Sequence, residues 1–200
     1  MPNTIKTISI QGESLFKDKG SKHFGFVFNV NSENEAKTQI EAIRQQHPKA
    51  NHHCFSYIIK DGNQVIERYN DDGEPNNSAG LPIFNQLKKY ELLNTCAVVV
   101  RYFGGTKLGV GGLINAYKTA TEQAIENASI TTIIPQVTIK LSVDFGEISA
   151  LNQTLKQNQT SILNEAYDTS YNVFVRINEE DILNLSNLFQ HITTIKINEV

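Results

Sequence analysis

CAVVVRYFGGTKLGVGGLINAY, residues 96–117, joins an apolar, β-branched run to a glycine-rich turn and then to helical spacing. The run at residues 96–103 has the composition of a strand buried on both faces, so it is expected at the centre of a sheet. Leu113, Tyr117, Ala120, Ala124 and Ala128 recur at intervals that mark one face of a long helix. A strand delivering its turn into a helix implies an α/β unit, and the flanking sequence extends it in both directions.

On the N-terminal side, Ile5, Ile8 and Ile10 alternate with polar residues and predict a strand. Residues 17–21 read as a turn and residues 23–30 as a second strand. Ser32 with Glu35 has the spacing of a capping box, opening a helix with Ala36, Ile40 and Ile43 inward and Pro48 past its end. Residues 54–59 and 64–69 pair as a hairpin around Asp61-Gly62. After the polar loop at residues 70–80, a helix begins with Ser78 as its cap and Pro82 in its first turn, facing Phe84 and Leu87 inward.

Pro135 starts a different rhythm. Residues 137–145, 161–167, 171–177 and 192–197 have strand patterns, while Ile148, Leu151 and Leu155 fit one helix and Ile182, Leu185, Leu188 and Phe189 another. That order is β-α-β-β-α-β, the ferredoxin-like arrangement. The fold expected is therefore mixed α/β (α+β) in two domains, residues 1–132 and 135–200, divided near Thr132 to Pro135.

Composition narrows the classes of function. With 40% hydrophobic and 20% charged residues the chain is ordinary for a globular protein, and a net charge of −3 gives no whole-chain attraction to nucleic acid or anionic membrane. RNA binding would need a local basic patch. Two cysteines, Cys54 and Cys96, fit a reducing compartment rather than a disulfide scaffold. The first residues lack a signal-peptide pattern, and no apolar run approaches membrane-spanning length, so the cytoplasm is expected.

Within residues 101–117, Gly104, Gly105, Gly109, Gly111 and Gly112 lie between strand and helix. Glycine permits positive φ and close approach, the helix start offers unpaired N–H groups, and Lys107 adds a charge. Together they make a candidate site for a phosphate, a carboxylate or an RNA backbone; a tight connection with glycines needed only for sterics is the alternative. Nucleotide fingerprints fail. Gly105-Thr106-Lys107 has the wrong order for a P-loop, and Ile114 stands where the third glycine of a dinucleotide motif belongs. No cofactor is implied.

Asp71, Asp72 and Glu74 in DDGEP could hold a cation, act as general acid and base, or simply form a solvated turn. The spacing of a calcium-binding EF-hand loop is absent, and the turn reading is favoured over a metal site. His52 and Cys54 alternate on one strand face, but no second close Cys/His pair completes a zinc site or a catalytic set, so Cys54 reads as a small core residue. His23, His47 and His191 show no usable spacing. Lys17, Lys19 and Lys22 could meet phosphates or form a solvated edge.

DDGEP, then Ala79-Gly80-x-Pro82, then RYFGGTKLGVGGL-x-x-AY resembles the paired signature of the Impact family in its bacterial, YigZ-type branch. SKHFGF at residues 21–26 and His52-x-Cys54-x-x-Tyr57 are similar to two further family segments, so the likeness covers about the first two thirds of the chain. The resemblance implies an N-terminal domain like domain 2 of ribosomal protein S5 and a C-terminal domain similar to a module of elongation factor G. Eukaryotic relatives regulate translation initiation through protein contacts, using an added N-terminal domain. For the bacterial branch a nucleic-acid or ribosome-binding role is the usual proposal.

The chain also departs from the family pattern. Asn76-Asn77-Ser78 replaces Ser-Gly-Thr, Leu81 stands where a cation is usual, and Asn115 replaces an arginine. Lys107 and Arg101 remain the main local charges. The expectation is a binding or regulatory protein contacting RNA, the ribosome or a translation factor. Its contact residues would be Asp71, Asp72, Glu74, Arg101, Tyr102, Gly104, Gly105, Thr106, Lys107, Gly109, Gly111, Gly112 and Tyr117. A hydrolase or transferase working through the DDGEP carboxylates, and a scaffold whose loops serve folding only, are the alternatives.

Overall fold

The computed structural model describes residues 4–62 and 64–200. Two compact units divide the described chain, one spanning Ile5–Ile133 and the other Ile134–Val200 together with Thr4.

The first unit runs β1 (Ile5–Ile10), β2 (Gly12–Asp18), β3 (Ser21–Asn29), α1 (Glu33–Gln46), β4 (His52–Asp61), β5 (Gln64–Asn70), α2 (Gly80–Lys89), β6 (Thr95–Tyr102), α3 (Gly109–Glu126) and β7 (Ser129–Ile133). Its main sheet has the order β2-β3-β6-β4-β5, every neighbour antiparallel. The β-branched run of β6 thus lies at the centre, with Val98, Val99 and Val100 fully buried.

Alternation along β6 sends successive side chains to opposite faces, and each face acquires its own core. Cys96, Val98 and Val100 pack with Ala36, Ile40 and Ile43 of α1. Ala97 and Val99 pack with Ile83 and Leu87 of α2 and with Leu113, Ala116, Tyr117, Ala120 and Ala124 of α3. Ser32 caps α1 as its spacing predicts, accepting the Glu35 N–H at 3.1 Å; the Glu35 carboxylate reaches one residue further back, to the Asn31 N–H at 2.7 Å.

Three expectations need correction. The proposed turn at residues 17–21 begins too early, because β2 continues to Asp18 and only Lys19 and Gly20 turn, with φ of 44° and 81°. The helical pattern through Ala128 conceals β7, which pairs antiparallel with β1. Ser78 does not cap α2: its hydroxyl donates to the Pro75 carbonyl at 2.6 Å, and the cap position is Ala79.

The second unit runs β8 (Gln136–Val143), α4 (Ile148–Gln157), β9 (Ser161–Tyr167), β10 (Tyr171–Asn178), α5 (Ile182–Leu188) and β11 (Lys196–Glu199). Its antiparallel sheet has the order β11-β8-β10-β9, the ferredoxin-like topology. Both helices pack on one face, where Ile139, Leu141, Val173 and Val175 meet Leu151, Leu155, Leu185 and Phe189. The last strand starts later than its apolar pattern predicts, because Ile192 is buried in the core before β11 begins. Among the described residues, no helix is long and apolar enough to cross a membrane.

Candidate functional site

Register brings the two sequence signatures to one end of the main sheet. Arg101, next to last in β6, pairs with His23 on β3 and with His52 on β4. β5 ends at the same edge, where Asn70 opposite Phe55 leads into DDGEP. The acidic loop and the glycine-rich turn therefore leave strands separated only by β4, at the same end of the sheet.

The carboxylates of the acidic loop turn inward. Asp71 Oδ1 accepts the N–H groups of Ala79 and Gly80 at 3.0 and 2.8 Å, and Oδ2 accepts that of Asn77 at 2.8 Å. Asp71 thus satisfies the start of α2 from eight residues upstream of its cap position, the task assigned to Ser78 by spacing. Asp72, at φ 43°, accepts the His53 N–H at 2.6 Å and lies 3.4 Å from the Arg44 guanidinium. Glu74 is buried. Its Oε1 lies 2.6 Å from Arg101 Nη1 and accepts the Tyr117 hydroxyl at 2.8 Å.

Around this pair lies a buried polar cluster. His52 Nδ1 donates to the Asp72 carbonyl, 2.8 Å away, and its other ring nitrogen is 3.8 Å from Glu74. The Cys54 thiol donates to the Asp71 carbonyl at 3.0 Å. Burial pushes the thiol pKa up, with the Glu74 carboxylate adding to the shift, which holds Cys54 as the protonated thiol that donates to Asp71. Burial also raises the Tyr117 hydroxyl, leaving it a hydrogen-bond donor. The His23 ring packs edge-on to Tyr117 at 5.3 Å. Burial lowers its pKa to about 4, with help from the Arg101 charge, so the ring is neutral.

The glycine-rich turn faces outward. Gly104 is required by close approach, since a Cβ there would lie 1.9 Å from the Gly20 carbonyl carbon. Gly105 and Gly109 have φ of 87° and 74° with open space around them. Gly111, inside the first turn of α3, has neither demand: apart from its chain neighbours and the backbone of its own helix, no atom lies within 4 Å of its would-be Cβ. Folding alone does not explain that glycine. Val110, Ile114 and Phe103 are exposed beside it, as are Thr106 and Lys107. No side chain caps α3.

The candidate residues therefore separate. Asp71, Asp72, Glu74, Arg101 and Tyr117 form an internal brace, whereas residues 104–112 form an outer rim. Tyr102 belongs to the opposite sheet face, packing edge-on against Phe24 at 5.9 Å and hydrogen-bonding His47 at 3.0 Å. The sequence singles out His52 and Cys54 as a same-face pair but reads Cys54 as a core residue and finds no usable spacing at His23; the link of all three to Glu74 and Arg101 depends on strand register. Among the described residues, no group of three or more His, Cys, Asp or Glu is arranged to hold a metal.

The model of the Impact N-terminal domain matches residues 19–125, a span holding both the brace and the rim. The chain belongs to the Impact family. The Impact family member YvyE of Bacillus subtilis (strain 168) is 35% identical over 159 residues, covering 80% of this chain and 73% of that protein. The Impact family member YigZ of Escherichia coli (strain K12) is 32% identical over 151 residues, 74% of each. A crystal structure of a hypothetical protein aligns with 100% of this Impact-family chain and 98% of its own at TM-score 0.76 and 24% identity, a likeness of fold.

Proposed function

We propose that this Impact-family protein is a translation-related regulatory protein that works by binding. Its rim at residues 104–112 contacts RNA, the ribosome or a translation factor in the cytoplasm. The observation that carries this reading is Gly111, a glycine without a folding role on an exposed helix start, flanked by Val110, Ile114 and Lys107. A bare backbone there lets a partner approach the unpaired N–H groups of α3, and the exposed apolar side chains give it surface to bury. Glu74, Arg101 and Tyr117 hold the strand and helix on either side of the rim, a positioning task, and Asp71 is occupied in capping. That engagement favours binding over bond cleavage by these carboxylates.

Sedimentation of the full chain with ribosomal fractions through sucrose gradients, with and without RNase, tests the proposal. Co-migration that is lost in Gly111→Glu and reduced in Lys107→Glu is the expected result. Glu at the first turn of a helix favours the helix electrostatically, so loss of binding without loss of fold is interpretable. A chain that stays at the top of the gradient, or variants that migrate like the parent, would overturn it.

A further inference from the structure

The ferredoxin-like unit covers only one face of its sheet with helices. The pairing register identifies what stands on the other face. Lys140 pairs with Phe174, Thr138 with Arg176, and Lys196 with Ser142. These positions alternate with Ile139, Leu141, Val173 and Val175, which form the core on the helical side. Apart from Phe174 and Ala166, the rest of the uncovered face carries amides and hydroxyls, including Asn164 across from Phe174.

Charge on this unit is sorted against its own balance. Residues 134–200 contain four Lys or Arg and eight Asp or Glu. Three of the four cations, Lys140, Arg176 and Lys196, lie on the uncovered face; the fourth, Lys156, is in the last turn of α4. None of the eight carboxylates is there. Six occupy turns and helix starts, while Glu165 and Glu199 pair with Val173 and Ile139 and so belong to the helical side. Among the described residues none of the three cations has an ion-pair partner. Lys140 lies 5.9 Å from the centre of the Phe174 ring, mid-sheet.

We propose that this open sheet face binds single-stranded RNA. An unpaired base stacks on Phe174, Lys140, Arg176 and Lys196 neutralise phosphates, and the exposed amides of Asn164 and Asn198 bond to base edges, Asn172 being buried and bonded to Ser142 and Ser170. A four-stranded sheet with an aromatic on a middle strand suits unstacked bases, and cations without neighbouring carboxylates suit a polyanion. An apolar membrane contact is not served by a face of amides. This inference concerns the other unit from the rim and goes beyond the function proposed above.

The test is fluorescence anisotropy of a short labelled single-stranded RNA of mixed sequence, titrated with the full chain across a salt series. Parent protein should bind with marked salt dependence. Replacing Lys140, Arg176 and Lys196 together by Gln should weaken binding at least about tenfold and reduce the logarithmic salt slope by about 2, the share of three phosphate contacts on a single strand. Phe174→Leu, which keeps apolar bulk beneath Lys140, should weaken binding about tenfold and leave the slope unchanged, within the range for loss of one stacked base. Thermal melts of both variants check the fold, and Lys156→Gln, which removes the one cation of this unit that lies off the face, should bind the RNA like the parent. RNA affinity untouched by either variant would overturn the proposal. So would displacement of the RNA by an acidic polypeptide together with insensitivity to Phe174→Leu, which would indicate an acidic protein partner. Loss of binding in Gly111→Glu alone would move the RNA to the rim and equally refute this assignment.

Discussion

Glu74 and Arg101 are 4% and 7% exposed at their side chains, so neither charge keeps its water and each depends on the other. Glu74→Gln preserves the shape and an acceptor for Tyr117 but leaves the guanidinium buried without a counter-charge. It should cost about 3–5 kcal/mol in urea unfolding, whereas Glu74→Gln combined with Arg101→Met should cost less than the sum of the single changes. His23 gives the cluster a pH dependence. The native ring takes up its proton only near pH 4, the unfolded chain near 6.5. Between those values the unfolded state binds more protons, so stability should fall as pH drops through the window. Arg101 opposes protonation, while Glu74 and Asp18 favour it less strongly than burial resists it. Both ring nitrogens lack hydrogen-bond partners among the described residues, so His23→Phe removes a titrating group without breaking a bond. Denaturant midpoints measured from pH 7 to pH 4 should fall less steeply in that variant; parallel slopes would refute a native pKa this low.

At the scale of elements, the start of α2 shows why part of the site escaped sequence reading. A serine just before an apolar run is the local signal for a cap, and Ser78 supplies it. The hydrogen bonds go instead to Asp71, which reaches Ala79 and Gly80 because the intervening loop folds back through the Glu74 N–H to Asp71 carbonyl bond of 2.9 Å. Asp71→Ala should cost about 1–2 kcal/mol, as removal of a cap does, and hydrogen exchange should speed up first at Ala79 and Gly80. Ser78→Ala should leave those amides protected. Strands with strong internal patterns were legible: β9 runs from Ser161 to Tyr167 as its composition predicts. β2 was not, because GESLFKD has no β-branched residue and is held by its pairing with β3. β7 was hidden for a related reason, since only its long-range partner β1 makes residues 129–133 a strand. The glycine-rich signature was legible as a turn, but which glycines serve folding depended on distances. Gly104 cannot bear a side chain beside Gly20, while Gly111 can. Gly111→Ala should therefore stabilise α3 by about 0.5–1 kcal/mol in thermal or urea unfolding, the ordinary gain on removing a helical glycine.

The whole molecule joins a unit with a buried polar brace to a unit whose charges are sorted between two sheet faces. The division near Thr132 to Pro135, expected from the change of pattern, can be tested by where the chain is cut. β1 has β7 as its strand partner, through Ile5 opposite Ile133 and Ile8 opposite Ile130. Ile5 and Ile8 are both buried, and Ile8 belongs to the core beneath α2 and α3. A fragment ending at residue 134 keeps that pair and should fold cooperatively, with a circular dichroism spectrum of mixed α/β content. A fragment ending at residue 128 loses all of β7 and leaves β1 with only its Lys6–Leu92 bridge over the core. Exposing one such isoleucine costs about 1.5–3 kcal/mol, a large share of a small domain's stability, so this shorter fragment should melt at a clearly lower temperature and be cut sooner by protease near β1. If the two fragments melt alike, the β1–β7 pair adds nothing to the first unit. If the longer fragment is unfolded, the first unit depends on residues 135–200 and the two-domain division fails.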